Sequence, residues 1–417
     1  MLKTAAASAE PGHAKGTPAY RRLTLAMLFA GFSTFSLLYS VQPLLPLFAT
    51  DFHLSAEAAS LAVSLATGPL AVAILFAGLV SDRIGRRPIM VWAMYGAGVL
   101  TLLTAIAPGW NAILGLRLLT GLALAGVPAV AMAYVSEEVD ATSVGSAMGL
   151  YIAGSAIGGM AGRLGVSLVT DLAGWHWALG VNGALGIVMA EGFRRLAPPS
   201  RAFVAQRGSI GALARGAAGL FRDAALPLLY AEAFLLMGVF VTLYNYVGFR
   251  LMGPPYGLGQ AEVGAIFLLY ILGSISSAWF GGLAGRLGRR RVFWAPIVLL
   301  IAGAGATDLA PLGLVIAGIA LATIGFFGAH SIASAWVGRR AAANRGQAAA
   351  LYLFFYYLGS SVLGSAGGVA WTGAGWSGVA AFCAVLAGAA LALGLVLWRV
   401  PPLALAETRA VRPLGGD

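Results

Sequence analysis

Long apolar segments separated by short polar turns fill the chain from about residue 22 to residue 398. Each segment is close to the ~20 residues that a helix needs to cross the hydrocarbon core of a bilayer. The apolar positions run continuously instead of alternating, which is typical of membrane helices and not of membrane β-strands. The pattern therefore predicts an all-α membrane protein with twelve transmembrane helices.

The predicted helices, called spans 1 to 12, form two groups of six. The predicted divisions are a tail (1–21), an N-terminal half (22–193), a linker (194–223), a C-terminal half (224–398) and a second tail (399–417). The linker is the longest stretch that is not apolar, and it is basic. The first tail has no signal-peptide core or cleavage site, so we expect the first span to be retained.

The composition agrees with this assignment, and the positions of the basic residues explain the positive net charge. Hydrophobic residues make up 59% of the chain and charged residues only 10%, which excludes a soluble globular protein. The net charge is +11, but 23 of the 26 basic residues fall in the tails, the linker and three turns predicted to lie on one side. By the positive-inside rule this side is cytoplasmic, with both termini, and no nucleic-acid partner is needed to explain the basicity.

A short loop of glycines and arginines occurs twice. Residues 78–87 and 281–290 share the pattern at a constant offset of 203 residues, which is about half the chain. A repeat of this length indicates two homologous halves, as in secondary transporters. Only the first copy contains an acid, Asp82, because Gly285 stands at the matching place in the second. We expect Asp82 to pair with an arginine of its loop.

The first copy has the form Gly-x-x-x-Asp-Arg-x-Gly-Arg-Arg. Its fixed positions are Gly78, Asp82, Arg83, Gly85, Arg86 and Arg87. The pattern resembles motif A of the major facilitator superfamily, which lies between the second and third helices of that family. The resemblance implies the major facilitator fold, two halves that rock about a central site, and a conformational role for these residues. An acidic turn after span 4, residues 137–140, is the expected partner of the loop arginines.

The resemblance extends over nearly the whole chain to bacterial YnfM-type inner-membrane exporters. It is clearest at residues 149–152 and in span 7 from Glu232 to Arg250. It implies export and a location in the bacterial inner (plasma) membrane.

Ionisable residues inside predicted spans are candidates for energy coupling, because a charge in hydrocarbon is costly. Arg117 lies in Arg-Leu-Leu-Thr-Gly, which resembles motif B of the family, where the arginine is associated with proton transfer or substrate charge. Glu232 is the only carboxylate predicted well inside a span, so it is the candidate proton carrier. A structural role between helices stays open for both residues.

Candidate solute contacts lie in spans 1, 5 and 7. Gln42 and Asn245 are also 203 residues apart, so they are predicted to be pseudo-symmetric amides. In the family, spans 1, 4, 7 and 10 line the cavity, which makes these amides candidates together with Tyr39, Tyr244 and Tyr246. Arg163 ends a segment that resembles the antiporter motif C, with Gly159 replacing its proline and Arg163 its second glycine. Amides can also hold helices together, and Arg163 can be structural.

Several kinds of chemistry are excluded by missing residues. The only lysines are Lys3 and Lys15, both in the tail, so a P-loop ATPase site is impossible. The four histidines are far apart, and Cys383 is the single cysteine. His330 in span 10 can titrate near neutral pH or be a packed, hydrogen-bonded side chain. We expect no enzyme activity, cofactor, metal or obligate protein partner, and an ion or solute gradient as the energy source.

The sequence therefore predicts export of a small organic solute, like a sugar, sugar acid or amino acid, by alternating access and in exchange for protons. Span 1 contains no acid, which argues against a dedicated pump for cationic drugs. The alternatives are a broad-specificity multidrug/proton antiporter and a non-transporting membrane receptor or scaffold.

Overall fold

The computed structural model describes residues 12–200, 203, 209–342 and 344–401. Within these residues, nine helical segments are long and apolar enough to cross a membrane. One of them, Arg345–Arg399, contains two spans, because the backbone is not helical at Ala374 and Gly375. Trp175–Leu196 and Trp294–Ala306 provide the other two spans. The twelve-helix fold is thereby confirmed.

The twelve spans have the following bounds in the structure. In the N-terminal half they are span 1 (Pro18–Asp51), span 2 (Ala56–Ile84), span 3 (Arg86–Ala105), span 4 (Trp110–Glu138), span 5 (Val144–Ala173) and span 6 (Trp175–Leu196). In the C-terminal half they are span 7 (Leu226–Met252), span 8 (Gln260–Leu287), span 9 (Arg289–Val292 and Trp294–Ala306), span 10 (Leu312–Arg340), span 11 (345–373) and span 12 (376–399). Span 1 begins earlier than predicted because Thr17 caps the helix and Pro18 suits its first turn.

Span 1 is interrupted in its second half. The helix Pro18–Leu38 ends, a 3₁₀-helix follows at Gln42–Leu44, and a short helix continues over Leu45–Asp51. Pro43 and Pro46 cause this break because proline has no N–H for the helical ladder. The break leaves carbonyl groups at the end of the first helix without intrahelical donors. Side-chain N–H groups donate to these carbonyls instead.

Glycines allow span 5 to pack directly on the backbone of span 1. A methyl group at Gly154 would lie 2.2 Å from Leu28 O, and one at Gly158 would lie 2.2 Å from Phe32 O. Both distances are far below van der Waals contact, so only glycine fits. The four-residue spacing of these glycines places them on one helical face, which allows this close approach.

The end of the bundle that carries the loop 78–87 is called the motif side, and the opposite end the far side. The two halves contact each other in the far-side half of spans 2 and 11, where Ser60 Oγ donates to Ser365 Oγ (3.1 Å) and Ser361 Oγ donates to Ser64 O (2.9 Å). Gln260 Nε2 in span 8 also donates to Pro43 O (2.8 Å). The structure therefore has the halves packed together on the far side.

The described part of the linker lies on the motif side, between spans 6 and 7. It contains a helix, Ile210–Leu220, within the predicted linker. Asp223 accepts hydrogen bonds from the N–H groups of Ala225 and Leu226 and pairs with Arg340 Nε at 2.5 Å. Burial alone would raise the pKa of Asp223, but the bonds from Arg340 and the two N–H groups lower it below its usual value. These contacts start span 7 at Leu226.

Parts of the predicted tails and linker lie outside the described residues, namely 1–11, 201–202, 204–208 and 402–417. The chain enters on the motif side, where His13 N donates to Glu138 O (2.8 Å). It also leaves there, where Pro401 O accepts from Arg340 (3.1 Å). Both ends of the described chain are thus on the same side of the bundle.

Candidate functional site

The first motif loop forms a compact ion-pair network. Arg86 Nη1 lies 2.5 Å from Asp82 Oδ1, and Arg86 Nη2 lies 2.8 Å from Glu137 Oε1. Arg86 Nη1 also donates to Ser81 Oγ at 2.6 Å. The expected Asp–Arg pair and the expected acidic partner after span 4 are both present. One guanidinium thus joins span 2, span 3 and the end of span 4.

The rest of the loop is held by backbone geometry and by span 6. Gly85 has a φ of 110°, which favours glycine, and it separates spans 2 and 3. Arg87 donates to the carbonyls of Arg194 (2.6 Å) and Ala197 (3.0 Å). Gly78 faces open space, because no heavy atom lies within 4 Å of where its Cβ would be. These ion pairs and hydrogen bonds do not reach the C-terminal half, and the conformational role that the resemblance implies for Asp82 stays a prediction.

A chain of buried polar groups crosses the centre of the molecule. Arg163 Nε in span 5 donates to Gln42 Oε1 (2.6 Å), and Gln42 Nε2 donates to Asn245 Oδ1 (2.8 Å). Arg163 Nη1 also donates to Gly159 O (2.6 Å). Gln42 and Asn245 are 2% and 1% exposed. The two predicted pseudo-symmetric amides therefore bind each other across the boundary between the halves.

Aromatic rings surround the Arg163 guanidinium. Its central carbon lies 4.4 Å from the Tyr39 ring centre, 5.2 Å from that of Tyr270 and 5.3 Å from that of Phe267. In the part of the chain that the structure describes, no carboxylate forms an ion pair with Arg163. The cation is therefore stabilised by an amide, a carbonyl and three ring faces. We call Arg163, Gln42, Asn245, Tyr39, Phe267 and Tyr270 the central cluster.

The other two predicted tyrosines lie on different sides of span 7. Tyr244 is hydrogen bonded to Thr323 at 2.8 Å, and its ring centre is 5.2 Å from that of Tyr270, next to the central cluster. Tyr246 donates to Ser365 O (3.3 Å) and stacks on Trp371, so it belongs to the contact between spans 7 and 11.

Phe267 and Tyr270 were not predicted from the sequence. Their rings face Arg163 from span 8, where a short 3₁₀-helix, Ile266–Leu269, precedes the α-helix that begins at Tyr270. The two residues are three apart, and residues at this spacing stack above one another in a 3₁₀-helix. The sequence around them is a continuous apolar run that contains aromatic residues. Nothing in it distinguishes the side chains that face Arg163 from those that pack against other helices.

Arg117 is completely enclosed by backbone carbonyls. Its Nε donates to Ala62 O (3.0 Å), its Nη1 to Leu37 O (3.1 Å), and its Nη2 to Leu38 O. The last two carbonyls are those at the end of the first helix of span 1, where the ladder stops. Arg117 therefore anchors the break in span 1 to spans 2 and 4, which favours the structural alternative. A role in proton coupling stays a prediction.

Glu232 is fully buried, and neither carboxylate oxygen has a hydrogen-bond partner in the structure. A methyl group at Gly394 would meet Ile297 and Phe293 at 3.5 Å and Glu232 Oε1 at 3.6 Å. The carboxyl group therefore faces spans 9 and 12 within the C-terminal half. Asn245 is 13 residues further along the same helix, a rise of about 20 Å. This distance separates the carboxyl group from the amide of Asn245.

Of the two alternatives for His330, the structure shows the packed, hydrogen-bonded side chain. Its Nδ1 lies 2.9 Å from the hydroxyl of Tyr352, and its ring stacks on Phe326. These contacts connect spans 10 and 11 inside the C-terminal half.

Family comparison agrees with this architecture. The Major Facilitator Superfamily profile matches residues 25–276, which is more than half of the chain. The chain belongs to the major facilitator superfamily. It is 46% identical to YybF, an uncharacterized MFS-type transporter of Bacillus subtilis (strain 168), over 88% of this chain and 90% of the relative. It is 45% identical to the inner membrane transport protein YnfM of Escherichia coli (strain K12), over 92% of each chain.

Solved structures confirm the fold of this major facilitator. A mutant of the nucleoside transporter NupG superimposes with a TM-score of 0.72, covers 89% of this chain and 99% of its own, and is 18% identical. At this identity the likeness concerns the fold alone. The protein is thus a multi-pass membrane transporter of two six-helix halves, and its solute must be argued from its own side chains.

Proposed function

We propose that this major facilitator exports a small organic solute of the sugar, sugar-acid or amino-acid type by alternating access, in exchange for protons. The single observation that carries the proposal is the buried Arg163 cation, placed between the halves with no carboxylate partner among the residues that the structure describes. The arginine-rich motif side supports a cytoplasmic position for both termini, and the similarity to YnfM supports the bacterial inner membrane.

The central cluster favours a solute that carries a carboxylate. A buried cation is expensive unless an opposite charge or a full set of hydrogen-bond acceptors compensates it. Arg163 has five N–H donors, of which two are used by Gln42 and Gly159. A solute carboxylate would supply the missing negative charge. A cationic solute would be repelled, which argues against the multidrug alternative.

The proposed contacts are the residues around this cation. They are Tyr39, Gln42, Arg163, Tyr244 and Asn245, to which Phe267 and Tyr270 are added. Tyr246 lies on the other side of span 7, so a solute contact at Tyr246 stays a prediction. The ring faces offer apolar surface to the body of the solute, and the amides offer hydrogen bonds that fix its orientation. Gln42 and Asn245 are available to a solute once the halves separate on the far side.

Glu232 is the proposed proton carrier. Its carboxyl group is fully buried, and neither oxygen has a hydrogen-bond donor among the described residues. The carboxyl group lies between spans 7, 9 and 12, so its charge would change how these spans pack during rocking. Coupling to the solute would then act through the movement of span 7 and not through direct contact.

A flux assay in proteoliposomes with an imposed pH gradient tests the function. The panel contains sugars, sugar acids and amino acids, with each acid matched by its uncharged amide and with a set of cationic drugs. We expect the acids to be transported faster than their amides, and Arg163→Gln to abolish that difference. Arg117→Gln is the comparison, because it should reduce the folded yield without changing the preference.

Two results would contradict the proposal. Transport of the cationic drugs that is unaffected by Arg163→Gln would establish the multidrug alternative. Absence of flux for the whole panel, with folded protein in the membrane, would favour a receptor or scaffold.

A further inference from the structure

The second motif loop keeps the arginines of the first loop but lacks its acid. Spans 4 and 10 each contain 29 residues, so Glu137 near the end of span 4 corresponds to Arg339 near the end of span 10. Gly285 corresponds to Asp82, and Arg289 corresponds to Arg86. Both carboxylates that surround Arg86 are thus replaced, one by glycine and one by a second arginine.

Among the described residues, the replacement leaves a group of arginines without an ion-pair partner. Where Arg86 contacts Asp82 and Glu137, Arg289 lies near the cation of Arg339. We call Arg286, Arg289, Arg290, Arg291 and Arg339 the arginine cluster. Across the described ranges none of its members forms an ion pair, whereas the neighbouring Arg340 pairs with Asp223. Four of these arginines lie within the six residues 286–291 and the fifth, Arg339, lies near Arg289, and such like charges repel each other unless an anion binds.

Exposed apolar side chains lead from the bilayer to this cluster. On span 8, Ile275 and Trp279 are each 61% exposed and share a helical face with Arg286, the next charged residue on that face. On span 9, Trp294 is 40% exposed beside Arg291, and its Nε1 donates to Arg291 O (2.9 Å). On the same span, Val298 follows Trp294 by one turn and is 39% exposed. Each of the two spans therefore presents an apolar stripe that ends at arginine, with a tryptophan near the membrane surface.

We propose that the arginine cluster binds the headgroup of an anionic phospholipid, whose acyl chains lie along the exposed stripes of spans 8 and 9. Arginine suits a phosphate because its guanidinium donates two parallel hydrogen bonds. The apolar stripes favour a lipid over a soluble phosphate, because a soluble anion would leave them unused. The first motif loop does not bind such a lipid, since its own carboxylates occupy Arg86.

Native mass spectrometry of delipidated protein tests this, with equimolar phosphatidylglycerol and phosphatidylcholine added. We expect wild-type protein to retain one phosphatidylglycerol with at least a tenfold preference. The variant Gly285→Asp/Arg339→Glu rebuilds the acidic pattern of the first loop and should lose the preference. Aspartate fits at residue 285 because no heavy atom lies within 4 Å of the Cβ position.

The matched variant is the reverse exchange in the N-terminal half. Asp82→Gly/Glu137→Arg removes the carboxylates around Arg86 and should add a second retained phosphatidylglycerol. Arg286→Gln/Arg291→Gln changes only exposed positions and should reduce the preference severalfold with an unchanged melting temperature, which separates lost binding from misfolding.

Two outcomes would overturn the proposal. The first is an equal preference for phosphatidylglycerol in wild-type protein and in Gly285→Asp/Arg339→Glu, when both have the same melting temperature. The second is complete displacement of the lipid by one millimolar inorganic phosphate, because the site would then be one for soluble anions.

Discussion

The hydrogen bond between Gln42 and Asn245 provides a direct test of how the halves are held together on the far side. It is 2.8 Å long, both amides are buried, and it joins spans 1 and 7 across the boundary between the halves. Asn245→Leu removes the acceptor and leaves Gln42 Nε2 unpaired while the far side is closed. Opening would expose that group to water. The substitution should therefore destabilise the closed state more than the open state.

The size of the effect follows from the cost of an unpaired buried donor. This cost is about 1–3 kcal/mol, which corresponds to about a 5- to 150-fold increase in the ratio of open to closed molecules. Asn245→Leu is a cleaner change than Gln42→Leu, because the charged hydrogen bond from Arg163 to Gln42 remains.

Cysteine labelling measures this ratio. Cys383 is the single cysteine and is buried, so Cys383→Ala supplies the background. Ser167→Cys places a thiol where span 5 packs on Gly264 of span 8, at a position that is 0% exposed. A membrane-impermeant maleimide reaches it when the far side opens. We expect Asn245→Leu to increase the labelling rate about 5- to 150-fold.

The control is a buried hydrogen bond within one half. Ser36 Oγ donates to Asn182 Oδ1 at 2.6 Å between spans 1 and 6. Asn182→Leu should lower the melting temperature but leave the labelling of residue 167 unchanged. If both variants lower the melting temperature and neither changes labelling, the Gln42–Asn245 bond has no part in closing the far side.

Three further predictions concern the motif loop, the proton carrier and the orientation. Asp82→Asn should express normally but lose transport, since it removes one of two carboxylates from Arg86, whereas Gly285→Asp should transport normally; full transport by Asp82→Asn would contradict this conformational role. Glu232→Gln should lose accumulation driven by a pH gradient in proteoliposomes but keep solute exchange, and unchanged accumulation would disprove the assignment. Tags at residue 5, residue 205 and the C-terminus should all report the cytoplasm, and a periplasmic signal from any of them would reverse the orientation.

The sequence by itself determined the number of spans, the two halves and the motif-loop ion pairs. These features depend on local properties: apolar length for a span, and an offset of 203 residues for the repeat. Asp82 and Arg86 are four residues apart, so their contact follows from the spacing. Glu137 could be identified as a partner because it is one of the few acids on a basic side.

The tertiary structure decided what the intramembrane polar residues contact. Arg117 and Arg163 look alike in sequence, as single arginines in apolar helices. Arg117 meets three carbonyls where span 1 breaks, whereas Arg163 meets one amide, one carbonyl and three ring faces. The difference depends on residues 37, 38, 62, 267 and 270, which are distant in the chain, so no local pattern contained it.

The packing of the helices also decided which way the Glu232 side chain points. Span 7 is apolar on every side, so its sequence does not distinguish the face toward the other half from the face toward spans 9 and 12. Depth in the membrane could be inferred by counting residues, but rotation about the helix axis could not. That rotation is set by the neighbouring helices, and it directs the carboxyl group toward spans 9 and 12.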